Sequence, residues 1–539
     1  MKLKNYLTPL LLLPVAWQCD SQSDALDGGI VDERQTKYYV NASVGLDSNS
    51  GNSSEAPYRS LYTLRYAQLK AGDTIFLAKG VTHHGSIVLK NVSGTADRPI
   101  VITAYGDGED YAHIDAKGNL AGIYMENCSH IRISGLRITA DGAGNMSDTE
   151  ARAAQIRCGI MYVPKAAGTY SDLTIEDVLI EDIYFHEQGY VRDNTDQNEE
   201  GYGYGIRMTA DNANYALDGI TIRNCQIRRV SRIGVLIGGM VGSRCVSNIE
   251  IDNLDSDNTG GPGIQISHAQ KIHIHHSKIN KSGSEDDSRN FCRGSGFWCF
   301  NTDRVLFEYN RMTNANGHAD SAGAHIDYNC NNVIYQYNFS ANNWGGFIEV
   351  LGNNYNCCYR YNVSVNDGQR KKGGVNQAGH TLWLSKYSGL KIGPFDTYIY
   401  NNTIYVDADK QSFVAMENTA DGVYIANNIF HVMGQGTDAV ERTSNTIMEH
   451  NLFYSAKSWS ATKVRDAAPT YGDPMFANAG GLDVADYVPT NRDLVKDRGT
   501  LLSKLPGDEI GLFLGLKVET DILGNPVDDT PDFGAIELQ

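Results

Sequence analysis

Gly205-Ile206-Arg207-Met208, Gly234-Val235-Leu236-Ile237 and Gly263-Ile264-Gln265-Ile266 repeat one pattern: a glycine, then apolar residues at the first and third following positions. A period of two is the mark of a strand whose successive side chains face opposite ways. The pattern extends upstream to Gly122-Ile123-Tyr124-Met125 and Gly159-Ile160-Met161-Tyr162. Downstream it meets Gly296-Phe297-Trp298-Cys299, Gly323-Ala324-His325-Ile326, Gly345-Gly346-Phe347-Ile348 and Gly379-His380-Thr381-Leu382. This counts nine coils, spaced mostly 22 to 46 residues apart.

A second column of short period-2 segments runs beside the first: Ile131-Arg132-Ile133, Leu173-Thr174-Ile175, Ile220-Thr221-Ile222, Ile249-Glu250-Ile251, Ile272-His273-Ile274, Val305-Leu306-Phe307, Val333-Ile334-Tyr335 and Tyr398-Ile399-Tyr400. Asn follows many of them (Asn224, Asn253, Asn310, Asn338, Asn362, Asn402, Asn428, Asn451), where a turn needs a left-handed backbone or a stacked amide. No single coil of this size can bury an apolar face alone, so the chain is expected to stack its coils into an all-β parallel solenoid, one elongated domain with capping segments. The boundaries are 37–467 for the solenoid and 468–539 for a C-terminal cap segment, with Tyr38 to Asp115 less regular and able to supply the other cap.

Lys2 and Lys4, the apolar run Leu10 to Ala16 and Cys19 read as an export signal over 1–18 with lipidation at Cys19, followed by a polar tether over 19–36. The run is too short to span a bilayer. An exported chain anchored by lipid at the cell envelope follows, touching membrane through that anchor alone. The net charge of −18 argues against nucleic acid, since phosphate contacts need clustered Lys and Arg. The ten cysteines have neither metal spacing nor a paired framework, and the adjacent Cys357 and Cys358 cannot both face one core. A monomer is expected.

Ala71-Gly72-Asp73-Thr74-Ile75, Pro99-Ile100-Val101-Ile102-Thr103-Ala104-Tyr105-Gly106 and Asn427-Asn428-Ile429-Phe430 resemble the right-handed parallel β-helix polysaccharide-degrading enzymes, the pectin-lyase-like superfamily. The resemblance covers the chain from about residue 37 onward. It implies the right-handed fold and an extracellular glycan as substrate, but not the bond cut, because the group holds both hydrolases and lyases.

With the first and third residues after each glycine inward, the second and fourth point outward. The second-position column reads Tyr124, Met161, Arg207, Leu236, Gln265, Trp298, His325, Phe347, Thr381; in the later coils the fourth reads Phe300, Asp327, Glu349, Trp383. Asp327 and Glu349 are thus expected to face each other on adjacent rungs about 4.8 Å apart. Two charges at that range repel by about 3 kcal/mol at an effective dielectric near 20, enough to raise one pKa by about 2. One protonated and one ionised carboxyl is what glycoside hydrolysis requires, and about 5 Å between them favours retention.

The catalytic candidates are therefore Asp327, Glu349 and His325, the last able to tune Asp327 or act as a base. Trp298 and Trp383 flank the pair as sugar platforms, and Gln265 lies one rung further. Loops add Arg293, His318, Asp320, Arg370 and Lys371 as substrate contacts, the last two suited to an acidic glycan. His380 is expected inward. The leading function is a glycoside hydrolase acting on an extracellular polysaccharide or oligosaccharide without a cofactor. The alternative is a lyase acting on a uronate glycan, with Lys371, His325 or Arg370 as base and calcium held by the carboxylates. The third is a non-catalytic glycan-binding β-helix.

Overall fold

The computed structural model describes residues 36–108, 110–140, 156–184, 203–284, 293–317, 319–370, 379–386, 392–417, 420–440, 444–455 and 464–539. All belong to one compact unit, Thr36–Gln539. The expected signal, Cys19 and nearly all of the tether lie outside these residues.

Three long parallel sheets form a right-handed parallel β-helix. The first has 14 strands, from Lys37–Val40 to Ser444–Glu449; the second has 14, from Thr82–His84 to Thr470–Tyr471; the third has 12, from Ile87–Lys90 to Gln435–Val440. The glycine-led repeat is the third sheet and the column from Ile131 to Tyr400 lies in the first. The second sheet, with strands such as Leu136–Ala140 and Leu179–Ile183, was not separated in the sequence. It follows the first within a residue or two, so its alternation blends into that of its neighbour.

The count of nine coils is too low. Thr74–Ala78 and Ile100–Tyr105 form rungs ahead of the first glycine motif, so most of Tyr38 to Asp115 is coil rather than cap. The short 3-10 helix Leu61–Tyr66 puts Leu61 and Leu64 into the core beside these first rungs. At the other end, residues after Tyr471 do not simply close the last coil. Leu505, Leu512, Val518 and Ile522 pack with Ile334, Cys358, Tyr398 and Tyr400 into a second core on the outer face of the first sheet. Tyr337 Oη donates to Thr520 O at 2.8 Å and Arg360 Nη1 to Gly515 O at 2.7 Å.

Inside the coils, ladders of Ile (Ile133, Ile175, Ile222, Ile251, Ile274) are excluded from water. From Phe297 onward the ladder turns aromatic: Phe297 stacks on Phe307 at 4.7 Å, and Phe307, Tyr335 and Tyr359 follow at 5.2 and 5.0 Å. Cys357 and Cys358 fall into the two different cores, and the eight cysteines among the described residues are all free thiols.

The asparagines separate into two columns. Asn224 and Asn253 sit at the left-handed turn position, φ 52° and 51°. Asn310, Asn338, Asn362, Asn402, Asn428 and Asn451 lie one residue further along and are buried, each amide joined to the next. Asn402 accepts from the backbone N–H of Asn362 at 3.1 Å and donates to Tyr359 O at 2.9 Å. Asn402→Leu leaves buried donors and acceptors on two rungs unmatched, at about 1–3 kcal/mol each. Urea unfolding of this variant is expected to show a clearly lowered midpoint, whereas Asn253→Gly in the outer column, which keeps the left-handed turn and gives up one exposed amide contact, should barely move it.

Candidate active site

The outer wall of the third sheet carries the site. Strands Phe297–Phe300, Ala324–Ile326, Ile348–Val350 and Leu382–Leu384 stack in register. Trp298 faces His325, Ile326 faces Val350, and Glu349 faces Trp383. One file therefore runs Gln265, Trp298, His325, Glu349, Trp383.

This corrects the expected register by two residues. Glu349 stands opposite His325, not Asp327, and the two carboxylates lie diagonally on adjacent rungs of the same wall. A diagonal of one strand spacing and two residues separates backbones by about 8 Å. The 4.8 Å spacing thus carries no stereochemical conclusion for the pair. The slip comes from Phe347, which takes the place the glycines hold in earlier coils. It is fully buried, and a Cβ on Gly323 would lie 3.3 Å from its ring. The Gly345 origin therefore places the whole strand two residues off while keeping its faces, since two residues restore the same side.

His380, expected inward, instead stacks on Trp383 at 4.4 Å with rings 7° from parallel. Trp298 is partly used by the protein: its indole N–H donates to Asp327 Oδ2 at 2.7 Å, while the Tyr328 N–H donates to Oδ1 at 2.7 Å. Asp327 is thereby fixed in orientation. From within the core, Tyr359 Oη donates to the carbonyls of Ala324 and Glu349, both at 3.1 Å, and Tyr335 Oη to that of His325 at 3.2 Å. The site's strands are braced from behind.

Asp320 belongs with the carboxylates, more centrally than a groove wall. Its carboxylate takes both Arg293 contacts, 2.9 and 3.0 Å from Nη1. Arg370 Nη1 donates to Gly317 O at 2.8 Å and its Nη2 to Asp320 O at 2.6 Å, so this guanidinium clamps the loop that carries Asp320. Asp320 and Ser321 both hold left-handed backbone, φ 48° and 63°, a costly pair for residues with side chains. Gly345 lies directly against this turn: its N–H donates to Ser321 O at 2.8 Å, and a Cβ there would come within 1.9 Å of Asp320 O.

Burial raises the Asp327 carboxyl to a pKa of about 7, and the negative charge of Asp320 adds to it, against the Trp298 and Tyr328 hydrogen bonds and Arg293. Glu349 is pushed well above the usual carboxylate range by burial first, then by Asp320 and Asp327, with Arg370 opposing. Its Oε2 has no hydrogen-bond partner among the described residues. His325 is buried, its Nδ1 3.0 Å from Ser295 Oγ, and burial lowers its pKa to about 4. A neutral imidazole of such low basicity is poorly suited to be the base expected of it.

The structure therefore brings together Asp327, Glu349, His325, Asp320, Arg293, Arg370, Trp298, Trp383 and, one rung off, Gln265. His318 and Lys371 lie outside the described residues. Beside Arg370 a groove of about 740 Å³ is lined by Trp344, Asn316, Gln369 and Lys410, among others.

Fold and site together define a right-handed parallel β-helix with an acidic cluster on its third sheet. Among known proteins, no family model matches the chain. A lacto-N-biosidase of Bifidobacterium longum subsp. longum is 24% identical over 98% of this chain and 38% of its own length. The chain thus spans about two fifths of that relative. The crystal structure of a GH136 lacto-N-biosidase from Eubacterium ramulus superposes with a TM-score of 0.52 at 20% identity, covering 81% of this chain and 66% of that one. XylC, solved with xylose, gives 0.50 at 10% identity over 94% and 98%. These likenesses show the β-helix.

Proposed function

We propose that the chain is a glycoside hydrolase in which Asp327 is the general acid and Asp320 the ionised carboxylate, acting as nucleophile or as base toward water. The observation that carries this is the contrast within one cluster. Asp327 titrates near 7 while its neighbour Asp320 is gripped by Arg293. Hydrolysis of a glycosidic bond needs one carboxyl that can give its proton to the leaving oxygen and one that stays charged. Glu349, buried and with no partner for Oε2 among the described residues, is disfavoured as an anion and serves better as a neutral donor to a sugar hydroxyl. Trp383, stacked on His380, offers a ring face to the sugar next to it.

A lyase with calcium fits less well. Among the described residues, the donor atoms that converge to metal-binding distance do not include those of Asp320, Asp327 or Glu349. The lacto-N-biosidase likeness makes an aryl lacto-N-bioside the first substrate to try, beside a panel of host and plant glycans. Release of the aryl group or of reducing sugar supports the hydrolase. Products absorbing near 235 nm, about the position of an unsaturated uronate, would transfer the site to the lyases. An envelope location through a lipid on Cys19 is part of the same proposal, tested by fractionating cells that express Cys19→Ser.

A further inference from the structure

Away from the site, the outer face of the first sheet carries a second cluster. Asp252, at the end of strand Val246–Asp252, faces His275, at the end of Ala269–His275, on the next rung. His275 Nδ1 lies 3.1 Å from Asp252 Oδ1, His276 Nδ1 3.8 Å from the same oxygen, and the two Nδ1 atoms are 2.8 Å apart. A tetrahedral zinc ion bound at about 2.0–2.1 Å holds its ligands about 3.3 Å from one another. The three edges of this triangle bracket that value.

A second feature fixes the direction in which the donors point. His275 Nε2 lies 3.0 Å from Glu250 Oε1, a contact that can hold the ring's N–H at Nε2 and leave Nδ1 as the ligand atom on the side of Asp252 and His276. A histidine held on its far nitrogen by a carboxylate is the usual outer support of a metal ligand. The imidazole of His276 is held too, stacked on Tyr309 at 5.3 Å with rings 6° from parallel. With the N–H of His275 on Nε2, the Asp252 carboxylate and the two Nδ1 atoms are brought together by a positive charge, either a proton on a ring or a bound cation. Arg223, opposite Asp252 on the preceding rung, also attracts that carboxylate while its Nε donates to Glu176 at 2.8 Å.

We propose that Asp252, His275 and His276 bind one divalent transition-metal ion of the zinc type, with Glu250 orienting His275 and with water completing the shell. The ion ties the turn of one coil to the turn of the next on a wall remote from the carboxylates of the third sheet. The inference does not depend on the glycosidase reading.

The test is a Zn²⁺ titration of the full chain, made without a polyhistidine tag, against a chromophoric chelator. One ion per chain is expected to bind in the micromolar range or tighter and to raise the thermal midpoint. His276→Ala and Asp252→Asn, both at the surface, should abolish binding and the thermal shift, and Glu250→Gln should weaken binding by about 10- to 100-fold. Co²⁺ should give visible absorption bands that vanish in His276→Ala. Absence of Zn²⁺ binding in the unaltered chain, or binding of equal strength in His276→Ala and Asp252→Asn, overturns the proposal.

Discussion

Asp327→Asn is expected to lower kcat by about 10²- to 10⁴-fold on a substrate whose leaving group is a sugar hydroxyl, the range a positioned general acid supplies. The loss should shrink on an aryl glycoside with an acidic phenol, which leaves without a proton. That difference separates an acid from a residue that merely shapes the groove. The pH profile gives a second mark. The Asp327 carboxyl is raised to about 7 by burial and by Asp320, so the acid form is lost, and activity with it, as pH rises through that value. In the variant this limb should disappear.

Stability carries the same sign. A carboxyl whose pKa is raised by folding favours the folded state fully below its ordinary value of 3.8 and loses that contribution as pH climbs through about 7. Asp327→Asn should therefore unfold at a higher temperature than the parent at about pH 8.5 and at nearly the same temperature near pH 4. An unchanged turnover, or an alkaline limb that survives the substitution, would remove Asp327 from its role.

Much of this architecture is written in strand periodicity. The glycine-led motif marks a sheet because each glycine lies where a Cβ would strike the neighbouring wall. A methyl on Gly122 would meet Ile138 Cγ2 at 2.4 Å, and one on Gly159 would meet Ile180 Cγ2 at 2.5 Å. The sequence also placed Trp298, His325, Asp327, Glu349 and Trp383 on one outer wall, since facing depends on parity alone. Registration between rungs was less legible. Where Phe347 replaces the glycine, two further glycines just before it give a false origin, from which the expected pairing of Asp327 with Glu349 arises.

Asp320 shows the other kind of loss. It lies in a turn, where no period assigns a direction, and its place over the sheet depends on two left-handed residues, on Arg293 from the previous coil and on Arg370 from a later loop. Arg370 itself looked like an arm for an acidic glycan because its neighbours are Lys371 and Lys372. Its guanidinium is committed to backbone carbonyls at 317 and 320. Contacts of this range, 50 residues or more in the chain, cannot be inferred from composition of the loop.

Asp320→Asn and Glu349→Gln should part company. Both exchanges replace a carboxyl by an amide of the same shape, so the difference between them reads charge. Asp320 in its Arg293 grip works as an anion, and losing that charge should cut kcat by about 10³-fold, within the span of nucleophile and base variants. Glu349 is pushed above the usual carboxylate range by burial, by Asp320 and by Asp327, which favours its neutral form. Glutamine then substitutes for a carboxylic acid, keeping a donor and an acceptor, and turnover should stay within about tenfold. Asp320→Gly gives a further readout: added azide or formate can occupy the vacated position and restore turnover, which damage to the fold would not allow. An inactive Glu349→Gln beside an active Asp320→Asn would return the anionic role to Glu349 and would mean that water or substrate reaches its buried carboxyl and lowers its proton affinity.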